Sequence, residues 1–260
     1  RLPLPLVKPE DRIGTPYIPC DLSKVAAIVP CDITDKVRSL GAIDDEAKAM
    51  GENLVAFFKT EVAEGRLPKN LLPLQSGVGS VANAVINGLV NSDFEDLTVF
   101  TEVVQDGMFD LIDAGKLRVC SGTALSPSPD CLKKFYANVE KYKKYIVLRP
   151  QEVANSPELA RRIGVIAMNT AIEVDIYGNV NSTHIAGTKI MNGIGGSGDY
   201  ARNGFLTVFF TTSLAKGGAI SSVVPFCSHV DHTEHDVDVI VSERGVADLR
   251  GLSPKERALV

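Results

Sequence analysis

Short, continuous apolar runs alternate with segments of helical periodicity along this 260-residue chain, and that alternation restricts the fold more than any other feature. Runs at Leu71–Leu74, Leu97–Phe100, Leu117–Cys120, Ile146–Leu148, Ile163–Ala167, Ala171–Asp175, Leu206–Phe210, Ala219–Val223 and Val237–Val241 have the length of strands. Several lack the polar alternation of a half-exposed strand, which points to parallel strands covered on both faces. Between them, Asp44–Glu64 carries Ala47, Met50, Leu54, Phe57 and Phe58 at helical spacing, and Val81–Leu89 and Val103–Ala114 predict two more helices. The prediction is an α/β fold: an open, mostly parallel sheet flanked by helices, with ligands bound beyond the carboxyl ends of the strands. Lys24–Val29, ending at Pro30, predicts one further buried strand. Prolines at 3, 5, 9, 16 and 19 make residues 1–20 a surface connector, leaving 21–260 as the folded domain.

A formal charge of −5 argues against a broad electrostatic footprint for nucleic acid. The basic run Lys133–Lys144, with Phe135, Tyr136 and Tyr142 interleaved, reads as a solvated helix face. No apolar run approaches the ~20 residues that a membrane span requires. The five cysteines form no C-x-x-C pair and their number is odd, which fits a reducing compartment and inert thiols. The opening Arg1-Leu2-Pro3-Leu4-Pro5 is neither an initiator methionine nor a signal peptide, so the chain reads as part of something longer.

Chemistry concentrates in a few segments. Gln75-Ser76-Gly77-Val78-Gly79-Ser80-Val81-Ala82 follows a strand and opens a helix, where free N–H groups suit a phosphate or a developing oxyanion. Its Gly77-x-Gly79-x-x-Ala82 also meets the loose dinucleotide fingerprint, although the acids some twenty residues on, Glu95 and Asp96, precede a strand rather than end one. A tight turn with no ligand explains the same residues. Glu102 stands where a strand ends and a helix begins. It could be a general base, a covalent nucleophile or a plain helix N-terminal acid. Glu173 and Asp175 share one face of a predicted strand and offer a second carboxylate, unless they belong to a solvated hairpin. Four glycines between Gly193 and Gly198 suggest a loop whose backbone must approach something closely. His229, His232 and His235 are interleaved with Asp231, Glu234 and Asp236, but their spacing puts them on no single face. A hydrogen-bonded loop explains them better than a metal site.

Taken together, Gln75–Gly79, Thr101-Glu102-Val103-Val104-Gln105-Asp106-Gly107-Met108, Asn169–His184, Gly193–Asp199 and Ser228–Arg250 with the following Gly-Leu-Ser-Pro resemble the acetyl-CoA hydrolase/transferase family. Its members include succinyl-CoA:acetate and other carboxylate CoA-transferases. The resemblance runs co-linearly from about Lys24 to Val260. It implies a CoA-transferase (NagB/RpiA-like) fold, of which this chain would be mainly the second of two related domains, with the N-terminal domain and the last C-terminal stretch outside it.

By the same resemblance, Glu102 maps onto the family's nucleophile in a ping-pong transfer through an acyl-glutamyl anhydride and a glutamyl-CoA thioester. Val78 and Gly196 map onto its oxyanion donors, and Asn155 onto an asparagine that polarises the acyl carbonyl. Coenzyme A contacts would fall on Leu72, Pro73, Leu74, Gln75, Ser76, Ile172, Asn192, Gly196 and Lys216. The resemblance further implies acyl-CoA and a short-chain carboxylate (acetate, succinate or propionate) as substrates, with no tightly bound cofactor and no metal. It implies no nucleic-acid or membrane partner, a homodimer for the full-length protein, and a cytoplasmic or mitochondrial setting. Acetyl-CoA hydrolysis by the same glutamate, a nucleotide-binding module built on the Gly77–Gly79 turn, and a non-catalytic CoA-binding fragment are the competing readings.

Overall fold

The computed structural model describes residues 3–33 and 44–260. At its centre is an eight-stranded sheet: β1 (Leu74–Ser76), β2 (Leu97–Phe100), β3 (Leu117–Gly122), β4 (Ile146–Leu148), β5 (Ile166–Thr170), β6 (Leu206–Phe210), β7 (Val239–Ser242) and β8 (Gly245–Asp248). The spatial order is β8-β7-β6-β5-β1-β2-β3-β4. All neighbours are parallel except the antiparallel edge pair β7 and β8. The chain therefore begins in the middle, winds outward through β2, β3 and β4, then crosses to the other side of β1 and winds out again. The resulting switch point lies between β1 and β5, and a crevice at the carboxyl ends of these strands is where such sheets bind ligands.

Period-two alternation explains how one sheet supports two cores. Val99, Ile166, Met168, Val208 and Phe210 face the main core. Phe100 and Ala167, one residue out of step, join Leu6, Val153, Leu159 and Tyr200 in a second cluster. The main core is closed by helices α1 (Asp45–Ala63), α2 (Ser80–Val90) and α3 (Asp106–Asp113). Asp44 caps α1 by accepting the Ala47 N–H at 2.8 Å. From there Ala47, Met50, Leu54 and Phe58 bury one stripe, as their spacing predicts. Near the start of the chain, Leu6 is fully buried. Arg162 donates to the carbonyls of Leu6 and Leu4 at 2.7 and 3.0 Å, and Arg149 to that of Pro9 at 2.7 Å.

The strands at Leu97–Phe100, Ile146–Leu148 and Leu206–Phe210 have the predicted bounds. Elsewhere the structure corrects the sequence. Leu71 adopts φ 57°, which breaks an extended run, so β1 starts only at Leu74. Ile163 closes the helix Pro157–Ile163 instead of opening β5. Val103–Val104 pairs with Ala124–Leu125 as a two-residue strand, and α3 begins only after Gln105. The predicted Ala219–Val223 strand is split, its halves pairing with Leu214–Ala215 and Glu173–Asp175. Lys24–Val29 is not a strand: it has no pairing partner among the described residues, and Ile28 and Val29 are exposed. An apolar run without a neighbouring strand has no ladder to join. Among the described residues no helix is long and apolar enough to cross a membrane.

Candidate active site

Glu102 lies two residues past the end of β2, on the carboxyl edge of the sheet. Its backbone carbonyl accepts the N–H groups of Thr123 and Ala124 at 2.8 and 3.3 Å, which fixes the turn. The side chain is half-buried. Its Oε2 accepts a hydrogen bond from Asn155 Nδ2 at 3.0 Å. Oε1 has no protein donor among the described residues. Asn155, distant in sequence, is brought in by the short helix Gln151–Ala154 after β4 and is buried. Tyr200 steadies it by donating its hydroxyl to the Ala154 carbonyl at 2.5 Å. Burial, reinforced by the nearby Glu102 charge, pushes the Tyr200 phenol far above its usual range, so it stays a protonated donor.

Gly196 completes the cluster. A Cβ at that position would fall well inside contact distance of both Asn155 Nδ2 and Glu102 Oε2, and 3.3 Å from Glu102 Cδ. Its φ is an ordinary −82°, so close approach rather than backbone freedom demands glycine here. Its N–H, like that of Val78, donates to no acceptor among the described residues. The sequence-predicted Glu102, Asn155 and Gly196 are therefore brought together from three separate segments.

Val78 sits on the neighbouring turn after β1. Gln105 pins that turn from both sides, accepting the Gly79 N–H at 3.1 Å and donating to the Gly77 carbonyl at 3.0 Å. Gly79 takes φ 123°, a left-handed conformation that suits glycine, at the N-cap of α2. Below it, Gln75 and Asn169 exchange hydrogen bonds at 3.1 and 3.0 Å across the switch point. Thr101 bonds the Ser76 backbone, donating to its carbonyl at 3.1 Å.

The proposed coenzyme contacts divide by position. Ser76, Ile172, Asn192, Gly196 and Lys216 lie on loops or strand ends at the carboxyl edge, with Asn192 and Lys216 exposed. Leu72 and Pro73 precede β1 at the opposite, amino edge, where Leu72 packs under Gly164. Leu74 is fully buried in the main core, and Gln75 is locked to Asn169. The side chains of Leu72, Pro73 and Leu74 thus stand apart from the Glu102 cluster.

The rival carboxylates are already occupied. Glu173 accepts from Ser228 N and Oγ at 2.8 and 2.6 Å and from Asn181 at 3.0 Å. Burial would raise it, but these donors hold it below the usual carboxylate range. Asp175 caps the hairpin turn, accepting from Tyr177 N and Asn179 N at 3.0 Å each. The histidine-rich segment forms the expected hydrogen-bonded loop: His229 Nε2 lies 3.2 Å from Asp231 Oδ1, whose carboxylate also accepts from Ser182 N and Thr183 Oγ1. Lys133 and Lys134 lie on a solvated helix, as predicted, paired with Asp130 and Asp113.

Gln105, Tyr200 and Thr101 were not singled out from the sequence. Gln105 follows Glu102 by three residues inside the Thr101–Met108 motif, and that proximity was the available signal. A cavity of about 390 Å³ lies behind the Gly195–Gly198 turn, lined by Pro157, Ile194, Asp199 and Arg202 among others. One of about 240 Å³ reaches Asn155 beside Gln151 and Glu152. Glu102, half-buried on the carboxyl edge of the sheet, lines neither.

The family model for the acetyl-CoA hydrolase/transferase C-terminal domain matches residues 132–260. A succinyl-CoA:acetate CoA-transferase of Clostridium kluyveri is 60% identical over 259 residues, covering 100% of this chain and 48% of that protein. An acetyl-CoA hydrolase of Yarrowia lipolytica is 48% identical over 262 residues, covering 99% of this chain and 50% of that protein. The chain spans about half the length of the curated relatives it matches. Among solved structures, RipA from Yersinia pestis superposes with a TM-score of 0.74 at 25% identity, covering 92% of this chain and 53% of that one. On its sequence, the chain carries the acetyl-CoA hydrolase/transferase C-terminal domain over residues 132–260 and is similar along its whole length to proteins named CoA-transferase and acetyl-CoA hydrolase.

Proposed function

We propose that this chain supplies the nucleophile-bearing part of a CoA-transferase, which moves coenzyme A between an acyl-CoA and a short-chain carboxylate with Glu102 as the covalent nucleophile. The observation that carries this reading is the state of the Glu102 carboxylate. One oxygen is held by Asn155, the other has no protein donor among the described residues, and Gly196 closes against it without a side chain. Glu173 differs in gathering three donors on its Oε1 within the hairpin.

In the proposed reaction, Glu102 attacks the thioester carbonyl, the C–S bond breaks, and coenzyme A leaves as a thiolate from an acyl-glutamyl anhydride. The thiolate then attacks Glu102 Cδ, breaking the C–O bond to the acyl group and releasing the free carboxylate. The glutamyl-CoA thioester is taken through the same steps in reverse by the second carboxylate. Each step passes through a tetrahedral oxyanion. The unused N–H groups of Val78 and Gly196 are suited to receive that charge, and losing one such donor typically costs ~3 kcal/mol. Asn155 retains a second amide hydrogen for the acyl oxygen. The phosphates of coenzyme A would meet Lys216 on an exposed turn. Names of relatives such as succinyl-CoA:acetate and propanoyl-CoA:succinate transferases favour acetate, propionate and succinate as the carboxylate class.

Hydrolysis is the second reading. Water intercepting the anhydride in place of the carboxylate would give hydrolysis, and the Yarrowia lipolytica relative is named a hydrolase. Exchange of labelled acetate into acetyl-CoA tests the main reading in the protein that carries this chain. Glu102→Gln should abolish exchange by at least about 10³-fold. Exchange surviving in that variant would refute the assignment, and CoA release that ignores the carboxylate acceptor would favour hydrolysis.

A further inference from the structure

We infer that His232 is a positioning residue for the Gly196 turn, holding it against Glu102 through Ser197; this rests on the CoA-transfer reading above.

His232 is fully buried. Its ring packs against Phe209 of β6 with centroids 4.8 Å apart and planes tilted by 42°, and its backbone forms an isolated antiparallel bridge with Val180, with bonds of 2.8 and 3.1 Å. The imidazole is therefore anchored to the rigid sheet on one side and to the Glu173–Asn181 hairpin on the other. Its Nε2 lies 3.2 Å from Ser197 Oγ. Ser197 directly follows Gly196.

Proton counting fixes the direction of this contact. The Ser197 hydroxyl has one hydrogen, and it donates to the Ile194 carbonyl at 2.7 Å, a group that can only accept. The hydroxyl must then be the acceptor for His232, which makes Nε2 the protonated nitrogen. Nδ1 is left as a bare acceptor, and it is indeed buried without a partner among the described residues. A second proton there would have nothing to bond. Burial accordingly holds the imidazole below its usual value, against a smaller opposing pull from Asp231 and Asp236.

On its helix side the turn is held by the Gly196 carbonyl, which accepts from Asp199 N and Tyr200 N at 3.1 and 3.3 Å; on its loop side it has few other restraints. The backbone bond from Ser197 N to Ile194 O is long, at 3.4 Å. The His232–Ser197–Ile194 chain of hydrogen bonds therefore closes the loop just before the helix Ser197–Ala201. Because Gly196 already meets the Glu102 carboxylate at close contact, a small outward shift of the turn would move its N–H away from any oxyanion formed there. Misplacement on the order of 1 Å can cost about 10²-fold in rate.

The test compares His232→Phe, His232→Gln, Ser197→Ala and the His232→Phe/Ser197→Ala pair in the protein that carries this chain, assayed for acetate exchange. His232→Phe and Ser197→Ala should each lower kcat about 10-fold with KM for acetyl-CoA within about twofold, and the pair should be no worse than either alone. His232→Gln, which can still donate to Ser197, should recover most of the loss. Multiplying effects, rates at the wild-type level in Ser197→Ala, or a glutamine variant no better than phenylalanine would overturn the inference. If the wild-type protein moves no coenzyme A, the CoA-transfer reading falls and hydrogen exchange decides the positioning. Faster exchange at Gly196 and Ser197 in Ser197→Ala than in wild type would support it, and equal rates would overturn it.

Discussion

Asn155 Nδ2 donates to Glu102 Oε2 at 3.0 Å, joining a helix that follows one strand of the sheet to the loop that follows another. The bond orients the carboxylate and leaves its second oxygen exposed to a substrate. Asn155→Ala should therefore reduce kcat by about 10²-fold, as expected for loss of one preorganised donor. Asn155→Asp should be worse and newly pH-dependent. Two carboxylates this close cannot both ionise easily, so one titration of the pair rises. Activity in that variant should fall as pH is lowered through the raised value, because the nucleophile must be ionised. A pH profile matching the wild type would argue against the contact.

Gly196→Ala should leave the chain folded and inactive. The backbone there is unstrained, so the loss of stability should be limited to the overpacking, about 1–3 kcal/mol. The added methyl group must instead displace the Glu102 carboxylate or the Asn155 amide. Steady-state kinetics beside a thermal melt would check this, with a fall of about 10²-fold or more in kcat expected.

Gln105 accounts for the shape of the Gly77–Gly79 turn and is buried. Gln105→Leu removes both bonds at nearly constant volume. It should destabilise the chain by about 1–3 kcal/mol, since a buried carbonyl and an N–H lose their partner. Acyl transfer should suffer beyond what unfolding explains, because Val78 sits on the freed turn. Retained activity in the folded fraction would separate Gln105 from the site.

These residues also show how far the sequence could be read. Glu102 was visible because its position depends only on the end of one strand, Leu97–Phe100, whose apolar run is unambiguous. Nothing local ranked it above Glu173: the difference lies in Ser228 and Asn181, which reach Glu173 only after the hairpin folds. Glycine density marked the Gly193–Gly198 loop, but not which glycine meets Glu102. Asn155 and Gly196 were identified through resemblance rather than by any local signal, since their meeting is tertiary. The failure at Lys24–Val29 has the opposite cause: an apolar run encodes hydrophobicity but not the presence of a pairing neighbour.

Glu61 on α1 holds a different kind of prediction. It is buried and accepts from Arg66 at 2.9 and 2.6 Å and from Arg250 at 2.8 and 2.9 Å, tying α1 to the segment after β8. Hydrogen bonds from Arg66, then Arg250, lower its carboxyl from 4.5 to about 2. A depressed folded value contributes stability that is present above the unfolded value of 4.5 and lost as pH falls from there towards about 2. The contribution is at most about 3 kcal/mol. Urea midpoints measured against pH should show this acid limb in the wild type and a flatter one in a destabilised Glu61→Gln. Parallel curves for the two proteins would contradict it.

Covalent catalysis by Glu102 is the central claim, and intact-mass spectrometry tests it most directly. The protein that carries this chain is incubated with acyl-CoA, treated with borohydride, and compared with Glu102→Ala. A glutamyl-CoA thioester is reduced to an alcohol, so the account predicts a loss of ~14 Da, mapping to residue 102 and absent from the variant. An active wild-type protein with unchanged mass, or a loss mapping to another carboxylate, would contradict it.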